Sequence, residues 1–509
     1  MSDHTAVDHK QGAGDNVKSD HLEDIHSDLI LEGVVLVSGK EKHLKLNQNG
    51  LTLGTQVTSA SNDKSKVLSL TWRDVMCAVK DLKPPAGHQH SSFTLHYIHH
   101  DASSKLRTQT VKIVDKDGQE DKWINAVNAQ CHKVPGRPKK AFVIINPIGG
   151  ARRGRQIYQK VAPLFELAGM QMTVAITEKS KHALELGEQQ DFSGYDSIIT
   201  VGGDGLYQEV LMGLILQIQK KAGVDYNNPD SVFSRPDIKL GIIPAGTGNG
   251  LALLCNGIVD EITAALNIIR GENQRTQIFT VHSCGKLVTV CGMIFGYGLY
   301  SDLMKRTDDL RWMGRMRYPY AFIGSLVKKP RMFNCTFEYR FADKQEKQDE
   351  DNSLGASNSQ GTEWTVYTGN SGPVCGIFAM LYKQVTDGKD IFLSPYVNSV
   401  DFFVDFGCGR LEVWLALYKF IQCKNEVTLP AKLERFSKVN GFRIKVTPDA
   451  AENSENISAK RAKEKQLEQL LDIDGEVIRV DKPELDIRLH SHFVSMYGVS
   501  KLPDGDKAK

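Results

Sequence analysis

Two glycine turns, each set behind an apolar run, constrain this chain more than any other feature. Val201-Gly202-Gly203-Asp204-Gly205 follows the run from Tyr195 to Thr200, and Pro244-Ala245-Gly246-Thr247-Gly248-Asn249-Gly250 follows the run from Leu240 to Ile243. Glycine carries no Cβ, so backbone N–H groups at such a strand end can come close to phosphate oxygens. A carboxylate among them, here Asp204, can accept a proton or help hold a magnesium ion. A lone G-G-D-G string reads equally well as an aspartate in a tight turn. The pair of turns favours a nucleotide site.

The segments around these turns alternate. Ala141 to Ile145 is a continuous apolar run suited to a buried parallel strand, and it ends at Asn146-Pro147-Ile148-Gly149-Gly150. Helix-like stretches at 156–167, 183–189 and 207–219 are interleaved with strand-like runs at 172–177, 196–201 and 240–243. The pattern predicts an α/β fold: a three-layer nucleotide-binding sandwich over residues 139–274, with its site at the carboxyl ends of the strands. From residue 275 to 500 β-rich segments take over and predict a mostly antiparallel second domain. Upstream, residues 29–134 read as short strands closed by a helix that carries Trp123 and Val127 on one face, a small β-domain. Pro135-Gly136-Arg137-Pro138 is a punctuated linker. Residues 1–28 and 501–509 read as disordered polar tails, and 343–361 and 448–467 as surface insertions, the second with a charged helical stretch at 460–467.

Composition narrows the function classes. A length of 509 residues calls for two or three domains. The formal charge is +2 with Lys and Arg dispersed, which lacks the concentrated basic footprint that nucleic acid demands. Nine cysteines without a CxxC pair speak against zinc modules and a disulfide framework, and for reduced cytosolic thiols. The polar start lacks the apolar core of a secretory signal. No run approaches eighteen apolar residues, so membrane contact is expected to be peripheral and the location cytoplasmic. Homo-oligomerisation is left open.

Asn146 to Gly154 offers a turn with free N–H groups and two guanidinium groups, Arg152 and Arg153, suited to phosphate or to an ordinary charged surface. It is neither a P-loop nor a dinucleotide fingerprint. In the second turn Thr247 brings a hydroxyl and Asn249 an amide, and a helix opening at Leu251 adds orphan N–H groups. Either side chain could instead simply cap that helix.

Together N-P-x-G-G, G-G-D-G followed by Glu209, and P-A-G-T-G-N resemble the diacylglycerol kinase catalytic domain superfamily, in particular its sphingosine and ceramide kinases, from about Lys139 to Tyr497. The resemblance implies an ATP-dependent, Mg2+-dependent lipid kinase whose first domain holds ATP and whose second completes the lipid cleft. It assigns Asn146, Pro147, Ile148, Thr177, Glu178, Lys181, Gly202, Gly203, Gly205, Gly246, Thr247 and Gly248 to the nucleotide, and Asp204 to the base that takes the lipid hydroxyl proton. Gly296 to Asp302 and Leu310 to Tyr318 look like the family's substrate-facing segment, with Asp302 on the lipid head and Arg311 and Arg317 on phosphate. Both arginines would serve interdomain salt bridges equally well. Asp474, Gly475 and Glu476 are implied in the nucleotide environment, Glu476 also as metal ligand, although D-G is first a hairpin signal. The N-terminal domain resembles a pleckstrin-homology module, with Trp123 plugging its barrel.

For the substrate, the acidic Asp302 suits the cationic amine of a sphingoid base such as sphingosine, and the C-x-x-x-C-x-x-C cluster of typical ceramide kinases is missing. Ceramide is the alternative, favoured by the pleckstrin-homology-like start and the insertion from Ala222 to Pro229. Diacylglycerol ranks third. A kinase of NAD or a sugar phosphate also uses G-G-D-G, but on a polar substrate, whereas 318–327 and 402–420 are aromatic and apolar enough for an acyl chain or for plain core. A catalytically inactive lipid-binding scaffold would show damaged turns, and here Asp204, the glycines and Glu476 are intact.

Overall fold

The computed structural model describes residues 29–55, 67–81, 91–103, 105–327, 330–342, 363–369, 372–381, 383–384, 391–392, 399–407, 409, 411–412, 432–447 and 466–498. Both tails, the insertion at 343–361 and nearly all of that at 448–467, with most of its charged stretch, lie outside them, as does most of 402–420 beyond residue 407. The described chain divides into two compact units, residues 29–99 with 108–134, and residues 100–107 with everything from Pro135 on.

In the first unit β1 (Leu29–Val37), β2 (Lys40–Asn47), β3 (Gly50–Gly54), β4 (Leu68–Thr71), β5 (Val75–Lys80), β6 (Ser92–His100) and β7 (Leu106–Asp115) form one sheet, ordered β4-β3-β2-β1-β7-β6-β5. Helix α1 (Glu120–Lys133) follows. Its buried Trp123, Val127 and Cys131 recur at the four-residue spacing that places side chains on one helix face, and they join a core with Val35, Leu44 and Phe93. Gly33 makes room for the indole, since a Cβ there would stand 3.0 Å from the ring. The strand-rich unit closed by a helix is as expected from sequence.

The second unit begins with β8 (Lys140–Ile145), α2 (Gly154–Leu167), β9 (Gln171–Ile176), α3 (His182–Gln189), β10 (Ser197–Gly202), α4 (Asp204–Ala222), β11 (Lys239–Pro244), α5 (Gly250–Asn256) and α6 (Glu261–Arg270). The strands are parallel in the order β9-β8-β10-β11. β10 is buried at every position, and β8 and β11 at all but their first, as a parallel sheet covered on both faces requires. Helix α3 packs on α4 and α2 on α6.

Beyond it come β12 (Asn273–Ser283), β13 (Lys286–Cys291), β14 (Ile294–Gly298), α7 (Leu299–Asp309), a 3-10 turn at Arg311–Met316, α8 (Arg317–Val327), β15 (Asn334–Phe341), β16 (Thr365–Val366), β17 (Gly376–Met380), β18 (Lys383–Gln384), β19 (Ile391–Phe392), β20 (Val400–Asp405), β21 (Leu433–Thr447), β22 (Leu470–Ile473), β23 (Glu476–Arg479) and β24 (Glu484–Tyr497). Pairing here is antiparallel, around an aromatic core in which Phe402 and Phe442 stack at 4.3 Å. The last strand joins the two halves: β24 runs antiparallel to β12 and β21 and parallel to β11 at Leu240 and Met496. The sheet is thus continuous across residue 274. Helices α7 and α8 interrupt a stretch that reads as β-rich from sequence. Pro319 is accommodated at the third position of α8, where the N–H has no helical partner anyway.

Among the described residues no single helix is long and apolar enough to cross a membrane. The bent pair α5 and α6 has the composition, but Leu251, Leu254, Leu266 and Ile268 are buried in the fold.

One buried base gives a pH prediction. The His490 ring lies 4.9 Å from Phe233 and 3.0 Å from Thr280 Oγ1, and burial pushes its pKa down from 6.5 to about 3. The unfolded chain binds that proton near the ordinary value, so the stability His490 contributes is complete above about pH 6.5 and is lost as pH falls toward the folded value. The urea midpoint is expected to fall between about pH 7 and about pH 5, with a slope of at most about 1.4 kcal/mol per pH unit from this group. His490→Phe is expected to flatten that slope; an unchanged slope would contradict the assignment.

Candidate active site

The loops that follow β8, β10 and β11 meet at the carboxyl edge of the parallel sheet. In the first, Asn146 Oδ1 accepts the N–H groups of Ile148 and Gly149 at 3.0 and 2.9 Å, an Asx turn that fixes the loop. Gly150, at φ +56°, lies so close to the third loop that a Cβ would meet Ala245 O at 2.5 Å. Gly203 and Gly246 touch back to back: a Cβ on Gly246 would fall 2.4 Å from Gly203 Cα. Glycine is therefore required by contact between the turns themselves. Ile148 is 74% exposed, and Arg152 and Arg153 are exposed too. Thr177, Glu178 and Lys181 follow β9, where Thr177 N–H donates to Ile145 O at 2.9 Å, Glu178 N–H donates to His182 Nδ1 at 3.0 Å, and Lys181 leads into α3 at φ +59°.

Asp204 opens α4, three residues before the helix expected from sequence at Tyr207. Its two carboxylate oxygens accept the N–H groups of Gly250 and Leu251, each at 2.9 Å. Asp204 thereby caps α5 from another element, while Asn249, expected as a capping group, uses its amide on Gly246 N–H and O at 2.8 and 2.9 Å. Thr247 makes no side-chain cap to α5 either. Burial raises the Asp204 pKa and the two N–H donors oppose it. Each oxygen keeps a second lone pair for a proton. Glu209 on the same helix faces the first N–H groups of α3, and burial together with the charge of Glu476 raises its pKa.

The far segments close on this point. A Cβ on Gly205 would meet Glu476 Oε1 at 2.7 Å, so the Glu476 carboxylate lies against the G-G-D-G turn. Glu476 accepts Arg311 Nη2 at 2.9 Å, and Arg311 Nε donates to Asp308 Oδ1 at 3.0 Å. Arg317 Nη2 donates to Tyr318 Oη at 2.9 Å, and the Gly248 Cβ position is 3.4 Å from Asp204 Oδ2 and 3.9 Å from Tyr318 Oη. Asp204, Gly205, Gly248, Glu476, Arg311 and Tyr318 form one neighbourhood. Tyr318 and Asp308 were missed from sequence; only the i, i+3 spacing of Asp308 and Arg311 on a helical pattern could have signalled the latter.

Two expected site residues are engaged elsewhere. The pairing of Ile473 with Glu476 leaves Asp474 and Gly475 as a two-residue turn, both at positive φ, which is the hairpin reading of D-G. The Asp474 carboxylate is buried and accepts Gly292, Met293 and Ile294 N–H at 2.7, 2.7 and 2.9 Å. It fastens the hairpin whose next strand presents Glu476. Asp302 accepts Arg331 Nε at 2.9 Å in a pair that is mostly buried, and Arg331 lies over the rings of Tyr297 and Phe333 at 5.7 and 5.3 Å. No spacing signals this pair. Asp474→Asn is expected to leave an N–H of the 292–294 turn without an acceptor and to cost about 1–3 kcal/mol, read as a lower urea midpoint; an unchanged midpoint would contradict the clamp.

Residues 140–281 match the diacylglycerol kinase catalytic domain. That segment carries this catalytic domain; the rest of the chain lies outside the match. The ceramide kinase of Homo sapiens is 38% identical over 200 residues, covering 39% of this chain and 37% of that protein. Sphingosine kinase 1 of Arabidopsis thaliana is 34% identical over 188 residues, 36% of each. A solved diacylglycerol kinase structure from Bacillus anthracis str. Sterne, 15% identical, covers 72% of this chain and 98% of its own, with a TM-score of 0.43. The matched segment spans under two fifths of either curated relative.

Proposed function

We propose that this protein transfers the γ-phosphoryl group of ATP to the primary hydroxyl of a sphingolipid, with ceramide preferred over a free sphingoid base. The observation that carries the reading is the convergence of Asp204 with three glycine-lined loops, Glu476 and the arginine-bearing segment 311–317 at one sheet edge. The loops after β8 and β11 supply N–H groups and open backbone to the phosphates, with Thr177, Glu178 and Lys181 on the neighbouring loop. Asp204, oriented by Gly250 and Leu251, accepts the alcohol proton as the oxygen bonds to the γ-phosphorus and ADP departs; a pKa raised by burial makes it a better acceptor. Arg311 and Arg317 neutralise charge gathering on the transferred group.

Among the described residues no cluster of three His, Cys, Asp or Glu side chains suits a metal. That fits magnesium all the same, which is held by one or two carboxylates plus substrate phosphates. Glu476, beside Gly205, would be such a carboxylate. When bound, the ion would polarise the phosphates and screen their charge.

The state of Asp302 supports the ceramide preference. Its carboxylate is buried against Arg331, so an incoming ammonium group would meet a neutralised pair, whereas a neutral amide loses nothing there. The sphingoid base, favoured by the bare sequence, becomes the second reading. The first unit is proposed as a pleckstrin-homology-like module and the protein as a peripheral, cytoplasmic membrane enzyme. Wild type is expected to show a higher kcat/KM on ceramide than on sphingosine. Arg331→Met, which frees Asp302, should move the ratio toward sphingosine by roughly tenfold or more, the worth of one charge-assisted hydrogen bond. A wild-type preference for sphingosine would overturn the substrate assignment.

A further inference from the structure

Phosphoryl transfer gives Arg317 a task and leaves the residue beside it without one. Tyr318, second in α8, is half-buried, and its phenol oxygen accepts Arg317 Nη2 at 2.9 Å. The Arg317 guanidinium carbon lies 4.8 Å from the centre of the same ring. Among the described residues the hydroxyl makes that hydrogen bond and no other. A phenol has a proton to donate as well as lone pairs that accept. With Arg317 donating to the oxygen, the O–H proton is left for a ligand.

Gly248 fixes where that proton can go. A Cβ on Gly248 would stand 3.4 Å from Asp204 Oδ2 and 3.9 Å from Tyr318 Oη, and beyond its own loop no other atom of the described residues comes within 4 Å. The place of the missing side chain is a gap onto which the proposed base and the phenol both open. A molecule whose reacting hydroxyl meets Asp204 there brings its next polar group within reach of Tyr318. Charge selects that group. Arg317, with its Nε buried and unpartnered, holds a permanent cation against the phenol. A protonated amine at this point would face a like charge and has no lone pair to accept the O–H. A neutral carbonyl oxygen accepts the proton and brings no charge.

We propose that Tyr318 is a specificity-determining residue whose O–H donates to an amide carbonyl attached next to the reacting primary hydroxyl, so that the site takes an N-acylated amino alcohol ahead of the free amine. The inference rests on the sphingolipid kinase reading and adds to it a second source of selectivity besides the Asp302–Arg331 pair. The test measures kcat/KM of wild type and Tyr318→Phe on three detergent-dispersed lipids: ceramide, sphingosine, and an N-alkyl sphingosine whose amide is reduced to a secondary amine. The last keeps two chains and lacks the carbonyl. A lipid that is not turned over is scored by its inhibition constant against one that is. The variant also removes the acceptor of Arg317, but any loss in ATP use is common to the three lipids and cancels in their ratios. Use of ceramide relative to either amine is expected to fall about three- to tenfold in the variant, the worth of one neutral hydrogen bond. A ratio that stays at the wild-type value or rises overturns the inference alone, since the phenol then serves the phosphates or the fold. Wild type active on neither ceramide nor sphingosine overturns the sphingolipid kinase reading, and the inference with it.

Discussion

Asp204→Asn is expected to lower kcat by about a hundredfold or more, with ATP affinity largely retained. The amide preserves the size of the side chain at the start of α4 but cannot take the alcohol proton. It also has one acceptor atom where the carboxylate has two, so only one of the Gly250 and Leu251 N–H groups keeps its partner. A modest fall in melting temperature should accompany the loss, from a stranded donor worth about 1–3 kcal/mol. Turnover is therefore compared per folded molecule, with nucleotide binding measured by calorimetry on the same sample. Near-normal turnover would remove Asp204 as the base; lost nucleotide binding would show that its main work is holding α5.

Gly246→Ala is the second large expected effect. The new methyl would lie 2.4 Å from Gly203 Cα and 3.0 Å from Asn249 Oδ1, so backbone would press on backbone and the two turns must separate. Overpacking of this kind costs about 1–3 kcal/mol of stability. A displacement of about 1 Å in the groups that hold a reactant costs on the order of a hundredfold in rate, which is the expected fall in kcat/KM for ATP. Gly248→Ala is the control. Its nearest neighbour would be Asp204 Oδ2 at 3.4 Å, an ordinary contact, so the loss should be several times smaller. Equal losses at both positions would show that the contact between the turns does not matter.

The parallel half of the fold is legible in the sequence because its strands are buried on both faces and read as unbroken apolar runs, ending in glycine turns that only a close approach explains. Asp204, Glu476 and Arg311 were also legible, and the structure brings them together. What the sequence hides is non-local. Asp204 caps α5 across 46 positions, and Arg331 meets Asp302 across 29. The return of β24 to β11 depends on one register contact, Leu240 with Met496, which no periodicity encodes. Asp474 and Glu476 stand two residues apart and look equivalent. The positive-φ turn between them sends one carboxylate into the 292–294 backbone and the other to Gly205.

The most direct measurement is phosphate transfer itself. The purified protein is incubated with magnesium and ATP labelled in the γ-phosphate, in the presence of detergent-dispersed ceramide, sphingosine or diacylglycerol, with NAD as a polar control. The expected result is label in the lipid at its primary hydroxyl, most rapidly in ceramide, and at about a hundredth of that rate or less when Asp204 is replaced by asparagine. Label in NAD with none in any lipid, or lipid labelling that survives the Asp204 substitution at the wild-type rate, would contradict it.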